Sequence, residues 1–163
     1  MTSEGRLLVV VGAPHPVPAQ VDRARWPVHV TIAPNFRVDR SAEGMIPALL
    51  ESIAQGVTAF DVKLGPADHF GVVGDVLVLL AQHASFDQLH SGLATGLMRV
   101  PGFAPAELRH WRDGYRPHAT LGPAVQVHAG ETLPIRTLTL VSLRGDIGQR
   151  VSTIELPPDC GLR

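Results

Sequence analysis

Cysteine is almost missing from this chain of 163 residues: Cys160 is the only one. That excludes a disulfide framework and a thiolate zinc cluster. Lysine is equally scarce, with Lys63 alone, so nearly all positive charge is arginine, whose planar fork suits phosphate contacts. Cationic excess is absent too. The formal net charge is −1, which is not the footprint of a protein that coats DNA or RNA. A short, locally recognised substrate is expected, not a DNA duplex. The longest purely apolar run near the N-terminus, Leu7 to Val11, is far short of the ~20 residues a membrane helix needs. It also lacks the flanks of a signal peptide. The expectation is a soluble, cytoplasmic protein without a membrane partner. Missing as well are a Gly-x-Ser-x-Gly elbow, a phosphate loop ending in Gly-Lys-Ser/Thr, and a third glycine after Gly71 and Gly74 that opens a helix. No dense His/Cys/Asp cluster shows metal spacing, so no metal site is expected.

What is present suffices for one packed domain over residues 1–163, with 45% apolar residues. Near-neutral charge and many proline turns fit a monomer. Arg6 to Val11 reads as a buried strand closed by Gly12 and Pro14. A short helix is possible over Val17 to Arg25, and a strand over Val28 to Ile32 stops at Pro34. Met45, Leu49, Leu50 and Ile53 recur at helical spacing ahead of Gly56. Thr58 to Leu64 and Asp75 to Leu80 read as strands, with Gly65, Pro66, Gly71 and Gly74 marking the loop between them. Ser85 and Gln88 form a capping box for an amphipathic helix carrying Phe86, Leu89, Leu93 and Leu97. Pro101 to Gly114 reads as a long loop. Strands follow at Tyr115 to Leu121, Ile135 to Leu143 and Arg150 to Leu156. Strands interspersed with helices favour an α+β or mixed-sheet fold over an all-parallel one.

The informative feature is an internal repeat. His29-Val30-Thr31-Ile32-Ala33-Pro34 returns as His118-Ala119-Thr120-Leu121-Gly122-Pro123. Each copy falls on a predicted strand, where His and Thr two apart share one face and the intervening residues turn inward. Imidazole has a pKa of about 6.5, so of two rings near neutral pH one accepts a proton while the other donates. In-line displacement at phosphorus needs that pair on opposite sides. Threonine hydroxyls can hold the non-bridging oxygens.

These two motifs resemble those of the 2H phosphoesterase superfamily, which includes LigT-like 2′-5′ RNA ligases and 2′,3′-cyclic nucleotide phosphodiesterases. Tyr115-Arg116-Pro117 matches the common lead-in to the second motif. The likeness covers most of the chain. It implies two pseudo-symmetric lobes of mostly antiparallel sheet, with helices outside and a central cleft. It also implies hydrolysis of 2′,3′-cyclic phosphates to 2′-phosphates without metal or nucleotide cofactor, with 2′-5′ ligation as a related activity. On that likeness His29 is acid and His118 is base, roles that exchange when the reaction runs backwards. Family members often place a basic residue shortly after the second motif, whereas Gly122 and Pro123 stand here.

Expected substrate contacts are Tyr115 and Arg116, with Arg112 and Arg37 as other phosphate-binding arginines. Among Trp26, Phe36, Phe70, Trp111 and Tyr115 as base-stacking rings, Phe70 and Trp111 are preferred for their loop settings. His90 reads as a boundary residue of its helix; His69 and His110 adjoin the aromatic loops and can reach the cleft. The expected partner is a small nucleotide or RNA end. The alternatives are a binding module of the same fold without turnover, or a phosphoesterase for a non-RNA cyclic phosphate.

Overall fold

The computed structural model describes residues 5–159; Cys160 lies outside the described residues. The first apolar run becomes β1 (Leu7–Ala13), buried from Leu8 onward. In chain order follow β2 (Gln20–Asp22), β3 (Val30–Arg37), α1 (Ile46–Ala54), β4 (Phe60–Lys63), β5 (Ala67–Phe70), β6 (Val76–Leu80) and α2 (Ala84–Leu97). The chain closes with β7 (Ala104–Pro105), β8 (His118–Thr120), β9 (Thr132–Ile135), β10 (Thr137–Arg144) and β11 (Ile147–Glu155). A six-stranded sheet has the order β2-β11-β10-β1-β3-β7, a three-stranded one β5-β6-β8, and β4 pairs with β9. The pairings are antiparallel throughout, as expected for the α+β class.

β1 lies between β10 and β3 with both faces covered, which is why its sequence shows no polar alternation. Leu8 and Val10 join the main core with α1 and α2, where Leu50, Phe86 and Leu93 are fully buried. Val9 and Val11 point to the opposite face and pack with Val141, Leu143 and the partly buried Trp26.

Several elements depart from expectation. Val17 to Arg25 forms β2 and a single 3-10 turn, not a helix; β2 completes the sheet edge against β11, and the Asp22 carboxylate caps the turn at Ala24 N–H, 2.9 Å away. β3 does not stop at Pro34. Its register against β1 slips on either side of Ala33, and proline is tolerated at such bulges because ladder bonds are already interrupted there. The glycine-marked loop after β4 contains β5, a polar edge strand whose composition hid it. The loop of Pro101 to Gly114 contains β7 and two 3-10 turns. At the head of α2, His83 replaces the expected capping box: its Nδ1 accepts from Ser85 N–H at 3.1 Å, while Gln88 reaches back to the Gly56 carbonyl.

His90 is the largest departure, because it is buried at 2% exposure instead of sitting at a boundary. Its Nδ1 lies 2.7 Å from the Ile32 carbonyl, which can only accept, so Nδ1 carries the proton. Its Nε2 then accepts the Arg112 N–H at 2.9 Å. The Tyr115 ring lies flat on the imidazole, with centroids 4.0 Å apart and planes 3° from parallel. Tyr115 O–H donates to the Thr31 carbonyl at 2.8 Å. This clamp joins α2, the bulged β3 and the approach to β8. Arg112 holds a left-handed φ of 59° at the clamp, a conformation that costs a non-glycine residue energy.

Only neutral His90 satisfies both contacts, and burial, with the Arg112 charge adding to it, lowers its pKa below 6.5. The unfolded chain therefore binds this proton more readily, and stability falls as pH drops below about 6.5. His90→Leu leaves two backbone groups unpartnered and should cost about 2–4 kcal/mol at pH 7, measured by urea unfolding. It should also flatten the acid dependence between pH 7 and 5; a loss under about 1 kcal/mol would show that the clamp is dispensable.

Candidate active site

The two histidines are mounted by the same local device. His29 stands at the entrance of β3 and His118 opens β8. Nδ1 of His29 donates to the Pro27 carbonyl at 2.8 Å, and Nδ1 of His118 to the Arg116 carbonyl at 2.7 Å. Each ring is thus oriented by the carbonyl two residues upstream, which leaves Nε2 as the unprotonated nitrogen of the neutral ring. The following residues, Val30 and Ala119, are fully buried and anchor each strand. Thr31 is half-buried and Thr120 exposed.

β3 and β8 pack against each other although they belong to different sheets, and Tyr115 ties the second motif's lead-in to the first motif. Two adjoining concavities result. One of about 770 Å³ is lined by Phe70, Tyr115, Arg116 and His118. The other, of about 400 Å³, is lined by Trp26, His29, Thr120 and Leu121. Thr31 and Asn35 belong to both and form the ridge where they meet. The larger lies within the usual size range of small-molecule sites.

Both imidazoles favour the neutral form. Burial lowers the pKa of His29, partly offset by its bond to Pro27, and the His118 charge lowers it further. Burial likewise lowers that of His118, partly offset by the Arg116 carbonyl, while the charges of Arg116 and His110 add to the depression. Phe70 meets His118 edge-on at 4.6 Å, and the Arg116 guanidinium lies 4.7 Å over the Phe70 ring. Arg116 also pairs with Asp68 at 3.1 Å. Bonds from His69 N–H and Arg116 hold the Asp68 carboxyl below its ordinary range.

Of the expected contacts, Phe70 and Arg116 lie beside His118. Tyr115 lines the cleft, but its hydroxyl is committed to the Thr31 carbonyl and burial pushes its ionisation well up. Trp111 is a correction. It is 5% exposed and packs edge-on against Phe36 and Phe103 in the core, because the 3-10 turns fold its loop back onto β3. Phe36 is also core. The ring found beside His29 is Trp26, 4.5 Å away. Arg112 is directed to Thr95 of α2 and Met98 at its C-terminal end, and Arg37 donates to the Gly5 carbonyl. His69 and His110 do line the larger concavity. Nothing in the sequence context of Asn35 marks it as a site residue; the bulged β3 places it on the ridge. Among the described residues, no group of three or more His, Cys, Asp or Glu is placed to hold a metal ion, and no helix is long and apolar enough to cross a membrane.

The family model of the 2′-5′ RNA ligase superfamily matches residues 15–139. No curated protein matches the chain in sequence. Among solved structures, a phosphoesterase superimposes with a TM-score of 0.65 at 19% identity, covering 94% of this chain and 99% of the other. LigT of Escherichia coli, complexed with 3′-AMP, gives 0.63 at 19% identity with the same coverage. A Thermus thermophilus protein, TT0787, gives 0.60, again at 19% with coverage of 94% and 99%. At this identity the likeness establishes a shared fold.

Imidazole NMR tests the geometry directly. His29 and His118 should each titrate below 6.5, and above that titration each should show the Nδ1–H tautomer. An Nε2–H tautomer at either ring would contradict the carbonyl mounting.

Proposed function

The chain belongs to the 2′-5′ RNA ligase superfamily, a group of 2H phosphoesterases, and on that premise we propose that it is a metal-independent phosphoesterase. Its reaction in this reading opens the 2′,3′-cyclic phosphate of a small nucleotide or RNA end to a 2′-phosphate, within a single domain of two lobes. The observation that carries the proposal is the duplicated histidine mounting on two sides of the Thr31 and Asn35 ridge.

Phosphorus sits at that ridge. The Nε2 of one neutral imidazole takes a proton from water as its oxygen bonds to phosphorus. The P–O3′ bond breaks, and the Nε2–H of the other, protonated imidazole delivers a proton to O3′. Both proton transfers are thereby supplied by the chain. The resemblance assigns His29 as acid and His118 as base for one direction of the reaction, and the opposite direction exchanges them. Thr31 and Thr120 hydroxyls bond the non-bridging oxygens, where a preformed donor counts most in the transition state. Phe70 and Arg116 offer a ring face and a cation to the nucleotide. LigT, a relative in fold, is complexed with 3′-AMP and with NADP+ in its structures, which supports a small nucleotide here.

The test is turnover of 2′,3′-cyclic mononucleotides and cyclic-phosphate-ended oligonucleotides in EDTA. Activity should persist in chelator; its loss would overturn the metal-free mechanism. His29→Ala and His118→Ala should each lower kcat at least about 10²-fold, the scale of a positioned acid or base. kcat/KM should be bell-shaped, falling at low pH as the base is protonated and at higher pH as the acid loses its proton. With both rings depressed in the free enzyme, the maximum should lie on the acid side of neutrality.

A further inference from the structure

Asp68 has no role in the reaction above and lines neither concavity, yet both of its carboxylate oxygens are engaged. Oδ1 accepts the His69 N–H at 2.8 Å, and Oδ2 accepts from Arg116 Nη2 at 3.1 Å. The second bond joins the edge strand β5 to the lead-in of β8, two strands that are not neighbours because β6 lies between them. Arg116 is thereby held with its guanidinium 4.7 Å over the Phe70 ring, and Phe70 meets His118 edge-on at 4.6 Å. His118 closes the loop by donating from Nδ1 to the Arg116 carbonyl at 2.7 Å. That one hydrogen bond sets the tautomer but lets the imidazole rock about it, so the tilt of the ring depends on Phe70. The ring beside His29 is secured differently, since Trp26 packs with Val9, Val11 and Leu143. Phe70 belongs to neither apolar cluster and stands on a polar edge strand. Its anchor is the cation that Asp68 holds.

We propose that Asp68 is a positioning residue for His118: it pins Arg116 over Phe70, and Phe70 in turn fixes the tilt of the imidazole that moves a proton in the reaction. The inference rests on the phosphoesterase reading above and extends it to a residue that touches neither the substrate nor the reacting atoms. Each contact in the loop is of a weak kind: an exposed ion pair, a cation over a ring and a ring edge. Closed on one another, they restrain a single side chain from several directions. Proton transfer needs Nε2 within hydrogen-bond reach of its oxygen, and a displacement of about 1 Å there can cost ~10²-fold. The carboxylate therefore acts on turnover through geometry. The charged and titratable groups around His118 are Arg116 and His110, with His29 across the ridge and Asp68 and His69 on β5. Arg116 lowers the His118 pKa from where it stands, so the titration of this ring reports the position of that cation.

Asp68→Asn tests this in the full chain, because the amide keeps an oxygen for the His69 N–H and loses the charge that holds Arg116. On a 2′,3′-cyclic mononucleotide kcat should fall about tenfold, a larger change than in KM. Arg116→Met removes the cation and should cost kcat a similar factor. Both substitutions cut one tether, so the double variant should match Arg116→Met in kcat. Followed by NMR without substrate, His118 should titrate higher in Asp68→Asn than in the wild type, because a released guanidinium no longer depresses it. A merely structural role for Asp68 would leave Arg116 in place, and loss of the neutralising carboxylate would then move the titration down. A downward or absent shift, or kcat losses that multiply in the double variant, overturns the inference. Wild-type protein that turns over no cyclic phosphate overturns the phosphoesterase reading instead, and the titration alone then decides whether Asp68 holds Arg116.

Discussion

The site depends on one buried imidazole that is not part of it. His90 uses both ring nitrogens on backbone groups, one on the bulged strand β3 and one on the turn at Arg112. Its flat face supports Tyr115, which fastens the second motif's lead-in to the first motif's Thr31 carbonyl. A bulge frees carbonyls from the sheet ladder, and buried carbonyls must find donors. His90 and Tyr115 supply those donors for Ile32 and Thr31. The bulge can then redirect β3 toward the cleft, and two motifs far apart in sequence share one ridge.

Electrostatics follow from this placement. Both motif histidines are drawn far enough into the protein for burial to be the leading cause of their lowered pKa. Their bonds to backbone carbonyls hold orientation without adding charge. Arg109 and Arg116 line the larger concavity, and each lies against a carboxylate, Glu107 and Asp68.

Much of this was legible in the sequence where the signal was local. The repeat of His, Thr and Pro located both motifs, and periodicity found α1, α2 and the longer strands. What escaped was set by tertiary contact. β5 carries Asp68 and His69 and has no apolar alternation, so only its pairing with β6 makes it a strand. Pro34 reads as a strand end because proline lacks a donor, and a bulge removes that conflict. Trp111 reads as a loop residue because its neighbours are polar, yet Phe36 and Phe103 bury it. His90 reads as a boundary residue because its two partners belong to other elements.

The mounting of His29 and His118 has a consequence for how such a site endures change. In many acid–base pairs a carboxylate side chain orients the imidazole, so one substitution elsewhere removes tautomer control. Here the orienting groups are the main-chain carbonyls of Pro27 and Arg116. Every amino acid carries that carbonyl, so no replacement of those two side chains deletes the acceptor itself. Each histidine thus brings its own alignment within a short stretch of chain. That makes the unit suited to being copied whole, and the sequence shows it twice.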